Sequence, residues 1–90
     1  ELYTEAYADA YFTPDRQRVT ETYARVGAVA ERYGIAVNAG HDLNQANLGY
    51  LLKAVPQIAE VSIGHALVCE ALEQGLESTV KAYVQIVEAT

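Results

Sequence analysis

VNAGHDLN, residues 37–44, and VSIGHALV, residues 61–68, follow one plan. Each opens on a short apolar, partly β-branched run, reaches Gly-His, and gives way to a helical pattern, with 24 residues from one histidine to the other. The first run, IAVNAGH, is too short for a helix and is led by near-continuous apolar residues, which predicts a strand buried on both faces. EVSIGH repeats it. Between the two, Leu48, Leu51, Leu52 and Val55 stand at i, i+3, i+4 and i+7, so a helix is expected from about Asn44 until Pro56 closes it. Strand, helix, strand at these lengths is a βαβ unit, with parallel strands and a right-handed crossover.

Working outward, ELYT at residues 1–4 reads as a short strand and EAYADAYFTP as a loop. Thr13 is the expected N-cap of a long helix with Pro14 at its first position. Val19, Tyr23, Val26, Val29, Ala30 and Tyr33 then mark an apolar face as far as Arg32, and Gly34 is the stop. Downstream of the second Gly-His, HALVCEAL is a short helix ended by Gly75, and Leu76, Val80, Tyr83, Val84 and Val87 define a last amphipathic helix. Three parallel strands make a poor sheet, because both edges stay open and two-sided apolar strands lack cover. Further βα units are therefore expected before Glu1, and the chain reads as a piece of a longer protein: it contains no Met, and ELYTEAYADA resembles no targeting segment.

Composition excludes several classes. Half the residues are hydrophobic (51%) and 20% charged, a globular balance, and no apolar run approaches the roughly 20 residues of a membrane helix. A net charge of -6 with only six scattered Lys and Arg argues against binding to nucleic acid. Cys69 is alone, with neither a disulfide partner nor zinc-ligand spacing, which fits a reducing cytoplasm and a small buried hydrophobe. No P-loop, GxGxxG, HExxH, CxxC or GxSxG occurs.

Chemistry therefore rests on the two strand ends, since function in parallel α/β folds collects at the C-terminal edge of the sheet. Gly64-His65 leads at once into a short helix, whose first N–H groups are unpaired and suit a phosphate. Gly40-His41 is followed by Asp42-Leu43-Asn44 before its helix, leaving room for the imidazole to exchange a proton. Asn38 points to the same face as Gly40 and is placed to orient the site. The plainer alternatives are turn chemistry for the glycines and a solvent-facing or capping role for His41. Glu1 is a functional carboxylate if ELYT is a strand facing the site, and otherwise a solvated terminus. Glu5, Asp9 and Asp15 read as loop solvation and helix N-terminal charge, and Tyr3, Tyr7 and Tyr11 as core or interface packing.

ELYTEAYADA, GIAVNAGHDLN and VSIGHALVCEALEQGLESTV together resemble the C-terminal part of the pyridoxine 5′-phosphate synthase (PdxJ) family of vitamin B6 biosynthesis, over essentially the whole chain. The resemblance implies an α/β fold in which residues 1–90 are the last three βα units of a TIM (β/α)8 barrel, with a short extra helix after the last strand. It implies condensation of 3-amino-2-oxopropyl phosphate with 1-deoxy-D-xylulose 5-phosphate to pyridoxine 5′-phosphate, phosphate and water, without metal or other cofactor. A cytoplasmic homo-oligomer follows from it, an octamer in the family, with no nucleic-acid or membrane partner. By position His41 is similar to the family's proton donor, Glu1 to an active-site glutamate, and Gly64 and His65 to a pair holding the aminoketone phosphate. Asp42 stands where many members have Gly in contact with that substrate, so only its backbone N–H is carried over. The remaining acid/base groups of the family lie upstream, and the 90-residue chain alone is expected to be inactive. Another phosphate-binding barrel enzyme and a non-catalytic assembly piece are the alternative readings.

Overall fold

Val37 and Ala39 point to one side of a strand and Asn38 and Gly40 to the other, and the chain is arranged around that alternation. The computed structural model describes all 90 residues. Strands β1 (Leu2–Tyr3), β2 (Val37–Gly40) and β3 (Ile58–Ser62) form one parallel sheet in chain order. Helices α1 (Glu5–Ala10), α2 (Arg16–Arg32), α3 (Leu48–Ala54), α4 (His65–Gln74) and α5 (Leu76–Glu88) complete it. Pairing puts Leu2, Ala39 and Val61 on one face and Tyr3, Gly40 and Ser62 on the other.

The first face carries the core. Ala39 lies with Tyr7, Leu43, Leu48, Leu51, Val55 and Tyr83, and Leu2 and Val61 pack against them. On the opposite face Asn38, Glu60 and Ser62 stay exposed. Burial on both faces, expected from the apolar runs, is thus found on one only, because the helices of this chain pack on the Ala39 side and the positions facing away from them are polar.

Residues 5–10, expected as loop, are helical. Ala6, Ala8 and Ala10 give the segment high helix propensity, and Tyr7 and Tyr11, four residues apart, meet edge to face with centroids 5.9 Å apart. Tyr7 is fully buried and its hydroxyl donates to the Asn47 carbonyl. Thr13 does not cap α2: its hydroxyl donates to the Ala10 carbonyl and accepts the Asp15 N–H, and Asp15 is the residue whose carbonyl takes the first helical bond, from Val19. Pro14 therefore lies in the turn ahead of the helix. At the other end the expected stop is found. Gly34 adopts φ +68, the Ile35 N–H reaches the Ala30 carbonyl and the Gly34 N–H the Glu31 carbonyl, a Schellman closure.

The packed face of α2 also differs from the apolar stripe. Val26, Val29 and Tyr33 are exposed, while Thr20 and Gly27 are buried with Tyr23 and Ala24 beside the core. Small residues win because α2 lies very close to the end of α3: a Cβ at Gly27 would stand 2.6 Å from Val55 Cγ1 and 2.9 Å from Gln57 Oε1. Helix α3 starts at Leu48 rather than near Asn44, since residues 45–47 form a turn in which Asn44 and Asn47 exchange side-chain to backbone hydrogen bonds, each 2.9 Å. Cys69 is exposed, against the expectation of a buried thiol, because no residue of α4 is buried. Helix α4 rests on α5, where the Tyr83 hydroxyl donates to Glu70. Burial pushes the Tyr7 and Tyr83 phenols well above the ordinary range, and Glu70 adds to the rise at Tyr83.

Gly27→Ala tests the close approach. Overpacking costs about 1–3 kcal/mol and opposes a helix-propensity gain of about 1 kcal/mol, so a net loss of about 1 kcal/mol is expected in urea denaturation of the full-length protein. Equal or higher stability would mean that α2 can slide off Val55.

Candidate functional site at the strand ends

Thr4 sets the geometry of the site. It is fully buried, its N–H donates to the Gly40 carbonyl at 3.2 Å, and its hydroxyl contacts the carbonyl oxygens of both Gly40 and His41. The end of β2 is thereby fixed to the end of β1. Beyond it the backbone turns left-handed at two successive residues, His41 (φ 68) and Asp42 (φ 50). That region is sterically unfavourable for residues with a Cβ, although Asp and His enter it more readily than most. Asn47 holds the far side of the turn, donating through Nδ2 to the Asp42 carbonyl at 3.1 Å. Leu43, almost fully buried, then anchors the chain in the core.

Gly40 has a different task from a turn glycine. Its φ is not positive; what matters is space, since a Cβ there would lie 2.7 Å from Glu1 Oε2. The Glu1 carboxylate thus lies over the strand end. At Gly64 nothing stands within 4 Å of a would-be Cβ, so that backbone is open to an approaching molecule. Gly64 caps α4, and its carbonyl accepts the first helical bond from Val68 at 3.2 Å, which leaves the N–H groups of His65, Ala66 and Leu67 outside the helical ladder. The His65 ring turns back along α4, with Nε2 3.4 Å from Cys69 Sγ. What His65 offers at the strand end is its backbone.

These residues meet. A cleft of about 240 Å³ at the C-terminal edge of the sheet is lined by Glu1, His41, Asp42, Ser62, Gly64 and His65. All five candidate residues read from the sequence are in it, and no hydrophobic side chain is. Asn38 shares the face but lies one pleat below and does not line the cleft. Ser62 was missed, and strand alternation alone would have found it, as the residue two before Gly64 and level with Gly40. Tyr3 was also missed as a neighbour of the site: its ring meets the His41 imidazole with centroids 4.7 Å apart and planes at 75°. The Tyr3 phenol is raised, first by its hydrogen bond to Glu5 and then by the charges of Glu5 and Asp42.

The cleft has two carboxylates and no Lys or Arg, so the hydrogen-bond donors it presents are backbone N–H groups and imidazole. No three His, Cys, Asp or Glu side chains are grouped to hold a metal ion, and no helix is long and apolar enough to cross a membrane. A second cleft, between β3 and α5, is lined by Leu48, Val61, Ile63, Tyr83, Val84, Val87 and Glu88 and has nothing to hold an anion.

Gly40→Ala is expected to swing the Glu1 carboxylate out of the cleft while the fold persists, because the group that must yield is the end of a flexible side chain. A crystal structure of the full-length variant would report the displacement, with Tm lowered by no more than about 4 °C. An unmoved Glu1, or a collapse in Tm, would contradict the steric role.

With the geometry in place, comparison with known proteins gives a consistent result. The family model described as "Pyridoxal phosphate biosynthesis protein PdxJ" matches residues 1–89. A pyridoxine 5′-phosphate synthase of Xanthomonas oryzae pv. oryzae (strain MAFF 311018) is 52% identical over 90 residues, which is 100% of this chain and 35% of that protein. The enzyme of the same name from Albidiferax ferrireducens is 48% identical over 87 residues, 97% of this chain and 34% of that protein. That from Xylella fastidiosa (strain 9a5c) is 47% identical over 89 residues, 99% and 34% respectively. The chain thus spans about a third of the length of the curated relatives it matches, and throughout that span it belongs to the PdxJ family.

Proposed function

We propose that the whole protein is a pyridoxine 5′-phosphate synthase, and that this chain supplies three strand ends of its active site. In that reading the enzyme condenses 3-amino-2-oxopropyl phosphate with 1-deoxy-D-xylulose 5-phosphate, releasing phosphate and water. The observation that carries it is the convergence of Glu1, His41, Asp42, Gly64 and His65 on one polar cleft. Residues 1–90 would be the last three βα units of a (β/α)8 barrel, in keeping with three parallel strands in chain order whose polar face lacks cover in this chain. A cytoplasmic homo-oligomer belongs to the same proposal.

Each residue has a chemical task. The N–H groups at Gly64 and His65 face the aminoketone phosphate, with the positive end of α4 behind them. His41 delivers a proton to the oxygen that departs, hydroxyl or phosphate, as carbon–oxygen bonds break on the way to the aromatic ring. Glu1 places a carboxyl group beside the substrate nitrogen, where cationic character develops as amine and carbonyl condense. The overall reaction is redox-neutral, so it calls for no redox cofactor. Asp42 is the poor fit, since its carboxylate repels a phosphate brought to the same turn.

In the full-length protein, His41→Asn should lower kcat about 100-fold or more while KM changes little. Undiminished turnover would remove His41 from the proton-donor role, and binding of inorganic phosphate without turnover of the two substrates would point to a different phosphate-handling enzyme. Asp42→Gly should lower KM for the aminoketone phosphate about threefold to tenfold, the effect of a carboxylate about 6 Å from a singly to doubly charged phosphate in a water-like dielectric. A KM that rises would mean that the Asp42 side chain helps to bind substrate.

A further inference from the structure

We propose that Tyr3 is a positioning residue for His41, holding the imidazole over the cleft through an edge-to-face ring contact. The inference rests on the reading of His41 as proton donor. His41 is exposed, sits on a left-handed turn, and its ring nitrogens have no hydrogen bond within the chain. Its backbone is fixed from below by Thr4, but nothing in that contact selects a side-chain rotamer. The Tyr3 ring, with centroid 4.7 Å away and plane at 75°, does.

Tyr3 is suited to this because it is itself held at three points. Its backbone pairs with Gly40 in the sheet, its carbonyl accepts the Tyr23 hydroxyl of α2 at 2.8 Å, and its own hydroxyl donates to Glu5 Oε2 at 2.9 Å. A half-exposed tyrosine with both ends fixed presents a rigid wall. Two consecutive residues at the end of β1 thus divide the work, Thr4 fixing the His41 main chain from the core side and Tyr3 holding the ring from beside the cleft. An aromatic contact also has an advantage over a hydrogen bond here: it orients the imidazole without occupying either nitrogen, so both stay free to carry and release the proton.

The test uses the full-length enzyme with Tyr3→Leu, Tyr3→Thr and Tyr3→Phe, and His41→Asn as control. Loss of the ring in the Leu and Thr variants should lower kcat about tenfold to hundredfold, the effect of a misplaced catalytic group, with KM for both substrates held within about twofold. Tyr3→Phe, which keeps the ring, should restore most of kcat. In parallel, the His41 imidazole C–H resonances, assigned by their disappearance in His41→Asn, should move when the ring is removed and stay near their place in Tyr3→Phe. Wild-type kcat in the Leu and Thr variants would overturn the proposal, as would equal loss in Phe and Leu or unmoved His41 resonances. Should His41→Asn keep full turnover, the proton-donor reading fails and Tyr3 has no catalytic ring to position, whereas loss in His41→Asn alone sinks only the role of Tyr3. If Leu and Thr both unfold, the proposal is overturned in favour of a structural role for Tyr3.

Discussion

A single threonine ties the strand ends together. Thr4 closes β1, gives its carbonyl to Ala8 as α1 begins, and commits its N–H and hydroxyl to the last carbonyls of β2. The buried hydroxyl has its single proton between two carbonyl acceptors, and with the Thr4 N–H on Gly40 both carbonyls are satisfied in the interior. β1 contributes only two residues to the sheet, so without this contact little would set how far it extends along β2. The left-handed turn at His41 and Asp42, the placement of Glu1 over Gly40 and the Tyr3 ring against His41 all inherit their position from that register.

A second set of polar contacts supports the first from the other side. Asn44 and Asn47 close the turn before α3 on each other, Asn47 reaches back to Asp42, and the buried Tyr7 hydroxyl reaches the Asn47 carbonyl. The segment between strand and helix is thus held by side chains from α1 and from itself. For the proton-donor role proposed for His41, such a frame matters because a group that wanders loses much of the rate that proximity supplies.

What was legible in the sequence follows from the physics of each signal. The two Gly-His strand ends and the helix between them were readable because short apolar runs, i/i+3/i+4 spacing and a closing proline are local properties. The convergence of Glu1 with His41, 40 residues apart in the chain, became readable through family resemblance; the spacing alone left Glu1 as a terminus. Helix α1 was hidden because its core contact is one tyrosine, and the pattern EAYADA offers alanines in place of an apolar stripe. The buried side of α2 was misread because hydrophobicity ranks Val26 and Val29 above Gly27, whereas close approach to Val55 selects the smallest residue. Thr13 failed as a cap for a related reason: its hydroxyl was already committed to Ala10.

The irregular register between β2 and β3 has a consequence for how this chain tolerates change in length. Val37 pairs with Ile58 and Asn38 with Glu60, so Ala59 is one residue more than regular pairing requires. Were Ala59 paired one-to-one with Asn38, Glu60 would come level with Ala39 and Val61 level with Gly40, setting a glutamate in the core and a valine in the polar cleft. The supernumerary alanine acts as a phase shifter, returning Val61 to the helices and Ser62 to the cleft. Loss of Ala59 alone would leave Glu60, Val61 and Ser62 in their present register with regular pairing, whereas adding or removing one residue beyond the bulge, between Glu60 and Ser62, would exchange the two faces of the strand end.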